Sequence, residues 1–465
     1  MSWIIIAGLS LFLILSLWRL EWAVLLLIAA LPTYLIRFSI LGLPLTFLEG
    51  MILISFAVWL ATKWLPNIRD ILRKRSERQR HPFDIEIIAL LLIALGASGI
   101  AGFSSGSLGI WKAYFFEPAL LFILLFNLFS EKSGAKKIMG ALLVSTLAVS
   151  GLAIFQKITG LYISNEIWAA AETRRVVSFF GYPNAIGLYL APLVLLFTGW
   201  LFYNLKNKLR INGLNLIIII TILSSLSAIY FARSEGALIG IAAGLVVFGI
   251  MAGKTWRRVT IAALVAAIVI IGLVPSWRTT AISKLTLRDL SGEIRRQQWT
   301  ETMTMLNGSR LITGAGLDNY QKAVAPYHQE GIFFNRDKID NFHSVLYGSA
   351  QLRDKYWQPT EIYLYPHNIF LNFWSEISLF GALLFVWIIL KYLYLALKLN
   401  IGYQRENKGE QYLALGLLTA MVAIGVHGLV DVPYFKNDLA LLFWALVSLV
   451  GLLSFNYRRE RELKN

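Results

Sequence analysis

Apolar residues occur in repeated blocks of roughly 15–22 residues along almost the whole chain, with polar connections between them. An α-helix needs about 20 such residues to cross the roughly 30 Å of hydrocarbon in a bilayer. Of the 465 residues, 57% are hydrophobic and only 15% are charged, whereas a soluble protein of this size keeps a largely charged surface. The pattern predicts an all-α, polytopic transmembrane helical bundle and argues against a soluble protein.

The apolar blocks also predict how many times the chain crosses the membrane. The first two blocks are short and fit either two crossings or one shallow hairpin, so we expect 12 or 13 spans. The predicted spans are 3–18, 22–36, 46–64, 85–102, 115–129, 138–155, 185–202, 214–231, 237–251, 260–274, 369–394, 413–429 and 439–453.

Two further features of the sequence narrow the class of protein. The chain has no cysteine, which excludes disulfides and thiolate metal sites. The first apolar block has no basic region before it and no small-residue cleavage site after it. We therefore expect a retained membrane segment and not a signal peptide.

Lysine and arginine predict the orientation of the bundle, because cytoplasmic loops of membrane proteins carry an excess of both. Alternate connections place 25 of the 43 basic residues on one side. That side is predicted to be cytoplasmic and to hold the C-terminus. The net charge of +16 is thus mostly a topology signal, and no nucleic-acid partner is expected. The basic residues concerned are Arg19, Lys63, the six between 66 and 82, Lys132/Lys136/Lys137, Lys206/Lys208/Arg210, Lys254/Arg257/Arg258, Lys391/Lys398/Arg405/Lys408 and Arg458/Arg459/Arg461/Lys464.

This topology divides the chain into four parts. Transmembrane helices over 1–274 include an exported loop at 156–184, and a long exported segment at 275–366, here called the cap, follows them. Further transmembrane helices cover 367–456, and a cytoplasmic tail covers 457–465. The cap mixes charged with aromatic residues and is too apolar for a disordered linker, so we expect it to be ordered and mainly helical. One cap helix is predicted over 293–306, ended by Asn307-Gly308.

Several unusual polar residues fall on the predicted exported side. Arg233 lies in a tight turn between two apolar helices, where a guanidinium is costly without an anionic partner. Other readings stay open for the rest: an interfacial arginine can extend to lipid head groups, and a histidine at a helix end can merely cap or pack. The remaining candidates are Arg174, Arg175, His367, and the pair His427 and Asp431, which are predicted to share one helical face.

Together these residue types suit transfer of a group from a lipid diphosphate. Arginine binds phosphate oxygens with two parallel hydrogen bonds, and a fixed cation stabilises a departing diphosphate. A histidine that is neutral near pH 7 can take a proton from an attacking hydroxyl. The exported side contains no Asp-x-Asp and no His-x-x-x-His pattern, so we predict no metal and no other cofactor.

At these residues the sequence resembles the O-antigen ligase and O-antigen polymerase superfamily. The order and spacing of several short segments carry the resemblance, which is strongest between about residues 174 and 444. The segments are Phe179-Phe180-Gly181-Tyr182-Pro183-Asn184-Ala185-Ile186-Gly187, Ala232-Arg233-Ser234-Glu235-Gly236, Arg296-Gln297-Gln298-Trp299, Gly314-Ala315-Gly316-Leu317-Asp318-Asn319-Tyr320, His367-Asn368-Ile369-Phe370-Leu371, Trp374-Ser375-Glu376-Ile377 and His427-Gly428-Leu429-Val430-Asp431. The sequence departs from the family at Ser378, where a glycine is usual.

The resemblance implies a GT-C-like helical fold and a metal-independent, inverting transferase. Such an enzyme moves a whole glycan from undecaprenyl diphosphate to an acceptor hydroxyl. By resemblance, Arg233 and Arg175 hold the diphosphate, with Arg174 as the alternative to Arg175, and His367 is the base. We expect Glu235, Asn184, Asn368, His427 and Asp431 to support them.

The acceptor and the exact reaction stay open at this point. Lipid A core, another glycan and a protein are all possible acceptors, corresponding to a ligase, a polymerase and a protein O-oligosaccharyltransferase. A transporter or flippase of lipid-linked glycans is the main alternative of another class. Transport needs polar groups near the bilayer midplane, whereas the mid-span positions here are nearly free of charge.

Overall fold

Helices make up most of the computed structural model, which describes residues 2–40, 43–68, 81–207, 212–406 and 408–463. Several basic residues of the topology prediction lie outside the described residues: Arg69, Arg73, Lys74, Arg75, Arg78, Arg80, Lys208, Arg210 and Lys464.

The N-terminal half is a series of helices with one small hairpin. The hairpin pairs β1 (Arg37–Ile40) with β2 (Leu43–Thr46) in antiparallel register, so that Arg37 lies opposite Thr46. The helices are α1 (Ser2–Trp18), α2 (Leu20–Ala29), α3 (Phe47–Trp59), α4 (Asp84–Ile100), α5 (Ser105–Trp111), α6 (Glu117–Leu128), α7 (Gly134–Thr159), α8 (Glu166–Ala169), α9 (Asn184–Asn207), α10 (Gly213–Ala232), α11 (Glu235–Met251) and α12 (Lys254–Leu273).

The cap and the C-terminal part continue in the same way. Short helices alternate with loops in the cap, and β3 (Gly331–Phe333) pairs antiparallel with β4 (Trp357–Pro359). The cap helices are α13 (Pro275–Leu285), α14 (Leu290–Met305), α15 (Arg310–Thr313), α16 (Tyr320–Val324), α17 (Phe342–Gly348) and α18 (Ala350–Tyr356), and after them come α19 (Ile369–Glu376), α20 (Leu379–Arg405), α21 (Glu410–His427) and α22 (Asn437–Glu462).

Within the described residues, nine helical stretches are long and apolar enough to cross a membrane, and three shorter apolar helices accompany them. Together with α4, they overlap every block predicted as a span, but the block 22–36 is α-helical only as far as Ala29 and continues as a 3₁₀-helix at Leu31–Leu35. The predicted all-α, polytopic bundle is therefore confirmed. The central helices are α9 and α22, whose apolar windows are 83% and 94% buried, whereas α12 has no buried residue at all.

One predicted span is wrong in its extent. The block 369–394 was expected to be continuous, but α19 ends at Glu376 and α20 begins at Leu379. Ser378 between them has φ of 152°, in the region that favours glycine, the residue that the resemblance led us to expect at this position. The Ser378 hydroxyl accepts a hydrogen bond from the Gly381 N–H (3.0 Å) and so caps α20.

A second span begins earlier than predicted. The apolar pattern suggested a start near residue 115, but helix is continuous from Ser105 through a π-helical turn at Lys112–Phe116 into α6. Lys112 interrupts the apolar pattern without ending the helix, because its ammonium pairs with the buried carboxylate of Glu49 on α3 at 2.6 Å.

The cap contains the expected helix, with a slightly earlier start. α14 begins at Leu290 because the Asp289 side chain caps it, accepting a hydrogen bond from the Gly292 N–H (3.2 Å). The cap then docks into the break between α19 and α20. The carboxylate of Glu376 accepts hydrogen bonds from the backbone N–H groups of Asp318 (2.8 Å) and Tyr320 (3.3 Å).

Gly314 makes this docking possible. Its φ is 68°, and a Cβ there would lie 2.6 Å from the Trp374 carbonyl oxygen, so only glycine fits. The end of the bundle that contacts the cap is called the cap end below. At the opposite end, Lys132 and Lys408, two of the described residues predicted to be cytoplasmic, both pair with Glu460 (2.9 and 2.8 Å).

Candidate active site

Arg233 occupies the turn between α10 and α11 at the cap end. Its backbone is left-handed (φ 55°, ψ 42°), a conformation that costs a non-glycine residue of order 1–3 kcal/mol and concentrates at functional sites. The side chain is exposed and forms no ion pair within the described residues. Ser234 provides no side-chain cap for α11, and the first N–H groups of a helix have no partner inside it. The turn therefore combines a free guanidinium with free backbone donors.

Arg175 lies beside this turn. Its Nε and Nη2 donate to the Ala232 carbonyl oxygen at 3.1 and 2.9 Å, and Nη2 also donates to Asn184 Oδ1 at 3.4 Å. Burial, and next the Arg233 charge, lower the pKa of Arg175, while Glu235 acts in the opposite direction. The two guanidinium groups are thus close enough to repel each other.

The loop after Arg175 is held from two directions, and this positions the arginine. Gln156 of α7 accepts hydrogen bonds from the backbone N–H groups of Val177 (3.0 Å) and Ser178 (2.6 Å). On the other side, the Lys436 ammonium lies 4.0 Å from the ring centre of Phe180, a cation–π contact. Burial lowers the pKa of Lys436, and the adjacent Asp438 opposes this effect.

Arg174 faces elsewhere. Its Nη1 donates to the carbonyl oxygens of Lys157 (3.0 Å) and Ile158 (3.3 Å), and its Nε donates to Ala169 (3.2 Å). Carbonyl groups at the end of a helix lack partners within it and attract cations. Arg174 therefore caps the C-terminal end of α7, whereas Arg175 lies next to Arg233.

The charges around the two central arginines do not balance. Glu235 is the acid nearest to Arg233 in the sequence, but its carboxylate pairs with Lys284 of α13. Glu172, the acid nearest to Arg175 in the sequence, is exposed and forms no ion pair among the described residues. Arg175 and Arg233 therefore retain an excess of positive charge at the N-terminus of α11. This combination favours an anion, and a phosphate group in particular.

His367 lies where the cap returns to the bundle. Its backbone is also left-handed (φ 45°), and its ring packs edge to face against Tyr363 with centroids 5.0 Å apart. Burial lowers the pKa of His367, Asp431 raises it, and Arg295 lowers it further. A neutral imidazole able to accept a proton is the result.

Two cap residues near this histidine were missed by the sequence analysis. Gln298 places Oε1 3.0 Å from His367 Nδ1. Arg295, one turn earlier on α14, donates from Nε to the Val430 carbonyl oxygen (2.9 Å) and acts electrostatically on both His367 and His427. The only available signal for Gln298 was the quoted family segment 296–299, and Arg295 lies one residue before it.

His427 and Asp431 do not share a helical face, contrary to the prediction. α21 ends at His427, and the chain turns there because the Gly428 carbonyl oxygen accepts the Ile369 N–H (2.8 Å) at the start of α19. Asp431 still acts electrostatically on both histidines. Gly236 packs directly on His427, since a Cβ on Gly236 would lie 2.7 Å from His427 Cδ2.

Asn368 joins these parts without facing a substrate. Its Oδ1 caps α19 by accepting the N–H groups of Phe370 and Leu371, and its Nδ2 donates to the Leu429 carbonyl oxygen (3.1 Å). The structure thus brings the arginine group (Arg175, Arg233, Glu235 and Asn184) into contact with the histidine group (His367, Asn368, His427 and Asp431) through Gly236 and His427.

Among the described residues, no cluster of three histidine, aspartate or glutamate side chains has the geometry to hold a metal ion.

Comparison with known families adds to this geometry. Residues 216–386 match the family model described as O-antigen ligase. The match covers 171 of the 465 residues and marks this part of the chain as similar to the O-antigen ligase family. No curated protein matches the chain. The O-antigen ligase segment contains Arg233, Glu235, His367 and Asn368, together with Arg295 and Gln298. Arg175, Asn184, His427 and Asp431 lie outside it and join the site through the fold.

Proposed function

We propose that this protein is a membrane glycosyltransferase that moves a glycan from undecaprenyl diphosphate to an acceptor hydroxyl on the exported face. The observation that carries the proposal is the unbalanced pair Arg175 and Arg233 beside the free N-terminus of α11, in contact with the group around His367. The match of residues 216–386 to the O-antigen ligase family model supports it.

In this proposal the diphosphate of the donor binds between Arg175, Arg233 and the first N–H groups of α11. The guanidinium of Arg175 has five N–H donors, and the bonds to Ala232 and Asn184 occupy those on Nε and Nη2. The two on Nη1 remain for phosphate oxygens. The polyprenyl chain extends from there into the bilayer.

The transfer step needs a base and a stabilised leaving group. The acceptor oxygen forms a bond to the anomeric carbon as the bond from that carbon to the diphosphate oxygen breaks. The electron pair of the broken bond leaves with the diphosphate, where the two arginines stabilise the added charge. His367 takes the hydroxyl proton, which its burial and lowered pKa permit. Attack opposite to the leaving group inverts the anomeric centre.

The side of the membrane follows from the charge distribution. The basic residues at the end opposite the cap predict that this opposite end is cytoplasmic, and the proposal therefore assigns the site to the exported face. Donor diphosphates at this face would lie at the depth of the Arg233 turn. The polar candidates form one layer at the cap end, an arrangement that suits transfer better than passage through the bilayer.

Substitution of the arginine and of the histidine tests the proposal. We expect Arg233→Ala and His367→Ala each to abolish glycan transfer by purified, membrane-inserted protein. Arg233→Lys should remain strongly impaired, because lysine offers a point charge and not a planar fork. Arg257→Ala and His343→Ala are matched controls, since Arg257 caps the end of α11 at the opposite end through Ile250 and His343 is exposed in the cap. Full activity of Arg233→Ala or His367→Ala would refute the assigned roles.

The acceptor is identified by the surface glycans of a strain that lacks the gene. Loss of all glycan-capped acceptor indicates a ligase, and an acceptor carrying a single repeat unit indicates a polymerase. Secreted proteins without their glycan indicate a protein oligosaccharyltransferase. Unchanged surface glycans would contradict the proposal as a whole.

A further inference from the structure

Gln298 on the cap helix α14 contacts Nδ1 of His367. If this nitrogen carries the proton of the neutral imidazole, the other nitrogen, Nε2, has a free lone pair. Its Oε1 lies 3.0 Å from His367 Nδ1. Gln298 is only 7% exposed, so little water competes for this bond. Tyr363 also packs edge to face against the imidazole, with the ring centroids 5.0 Å apart, and so restricts the rotation of the ring.

The chemistry of the two groups fixes the direction of this hydrogen bond. An amide oxygen only accepts, and a neutral imidazole carries one hydrogen, on either Nδ1 or Nε2. We propose that Gln298 is a positioning residue that holds His367 with its proton on Nδ1, leaving the lone pair of Nε2 free to take the proton of the attacking hydroxyl. This inference rests on the proposed function for its catalytic consequence, but the tautomer itself does not depend on it.

A purely structural role explains Gln298 less well. The neighbouring Trp299 already anchors α14 to the same loop by donating from Nε1 to the Pro366 carbonyl oxygen (2.8 Å). Gln298 Nε2 is buried and has no hydrogen-bond partner among the described residues. A buried donor without a partner costs about 1–3 kcal/mol. An apolar side chain of similar shape would pack at lower cost, so the amide oxygen is the part of this residue that the site uses.

The same contact makes the site depend on the cap. Gln298 and His367 are 69 positions apart, and they meet only when α14 docks on the loop before α19. Charged groups face the imidazole from two further elements: Arg295 from α14 and Asp431 from the segment after α21. They change how readily His367 binds a proton, but a charge alone does not select between Nδ1 and Nε2. The backbone of Tyr365 also interacts with the imidazole and raises its pKa. The polar atom that lies 3.0 Å from a ring nitrogen is Oε1 of Gln298, and we assign the selection of the tautomer to it.

The test combines a spectroscopic readout with kinetics on the full-length protein. The chain has five histidines, so ¹⁵N-histidine labelling gives few signals, and comparison with His367→Ala identifies those of His367. The variants are Gln298→Leu and Gln298→Glu. Gln297→Leu is the matched control, because Gln297 is the adjacent residue and contacts Glu301 (3.0 Å) on the same helix.

We expect the wild type and Gln297→Leu to show the proton on Nδ1. Gln298→Leu should show signals of the other tautomer, with kcat lowered about 10- to 100-fold and KM within about twofold, part of the roughly 100- to 10,000-fold that a general base contributes. Gln298→Glu should keep the proton on Nδ1. Its added negative charge favours the imidazolium, so the acidic limb of its kcat profile should move to higher pH.

Each outcome separates this inference from the proposed function. A wild-type spectrum with the proton on Nε2, or an unchanged spectrum in Gln298→Leu, overturns the role of Gln298 whatever the enzyme does. A tautomer change in Gln298→Leu without any change in kcat also overturns it as a positioning residue. If wild-type protein transferred no glycan but the tautomer change occurred, the proposed function would fail and the structural selection by Gln298 would stand.

Discussion

Replacing Arg175 and Arg174 in turn gives the sharpest test of the diphosphate site. The two residues are adjacent and identical, but the fold uses them differently. Arg175 lies beside Arg233 with two Nη1 hydrogens free, whereas Arg174 caps the end of α7. Alanine at 175 should therefore weaken donor binding, and alanine at 174 should affect stability instead.

The magnitudes follow from the bonds that each side chain makes. A hydrogen bond to a charged group contributes about 1.5–3 kcal/mol, which corresponds to a loss of about 10- to 150-fold in affinity when Arg175 is removed. Arg174 loses three bonds to carbonyl oxygens, but it is half-buried and water replaces part of them. We expect roughly 1–2 kcal/mol of lost stability for Arg174→Ala and donor affinity within about twofold of the wild type.

Binding of undecaprenyl diphosphate to purified protein in nanodiscs measures this difference without knowledge of the acceptor. Undecaprenol, which has the same chain and no charge, is the control ligand and should bind all three proteins alike. The reasoning is refuted if Arg174→Ala weakens diphosphate binding as much as Arg175→Ala does. It is equally refuted if both variants bind undecaprenyl diphosphate like the wild type.

Two further predictions concern the base and the cofactor. Burial lowers the pKa of His367 below the ordinary value of 6.5, and the base must be neutral to act. The rate of transfer should therefore rise with pH around a midpoint below 6.5 and stay level from there through neutral pH. A midpoint above 6.5 would contradict the assignment of His367. Protein treated with a chelator should transfer glycan at the same measured rate as untreated protein. A loss of activity that Mg²⁺ or Mn²⁺ restores would show that the predicted metal-independent mechanism is wrong.

The errors of the sequence analysis share one physical cause. The apolar pattern predicts which segments can lie in the hydrocarbon of the bilayer, but it does not predict how contacts with distant segments change the backbone conformation. The break at Ser378 coincides with the docking of Asp318 and Tyr320 on Glu376. The helix continues past Lys112, whose charge pairs with Glu49 of another helix. Both contacts join parts of the chain that a local pattern treats separately.

The sequence by itself determined the helical bundle and the residue types of the candidate site. Blocks of apolar residues must be helical in a bilayer, because every backbone N–H and C=O needs a partner there. The tertiary structure decided which of the two adjacent arginines lies beside Arg233, and it brought Gln298 and Arg295 to the histidines. Those relations depend on contacts such as that between Arg295 and Val430, 135 positions apart. The packing of the cap on the bundle creates the contacts of Gln298 and Arg295, and the hydrogen bonds of Arg175 to the Ala232 carbonyl oxygen distinguish it from Arg174.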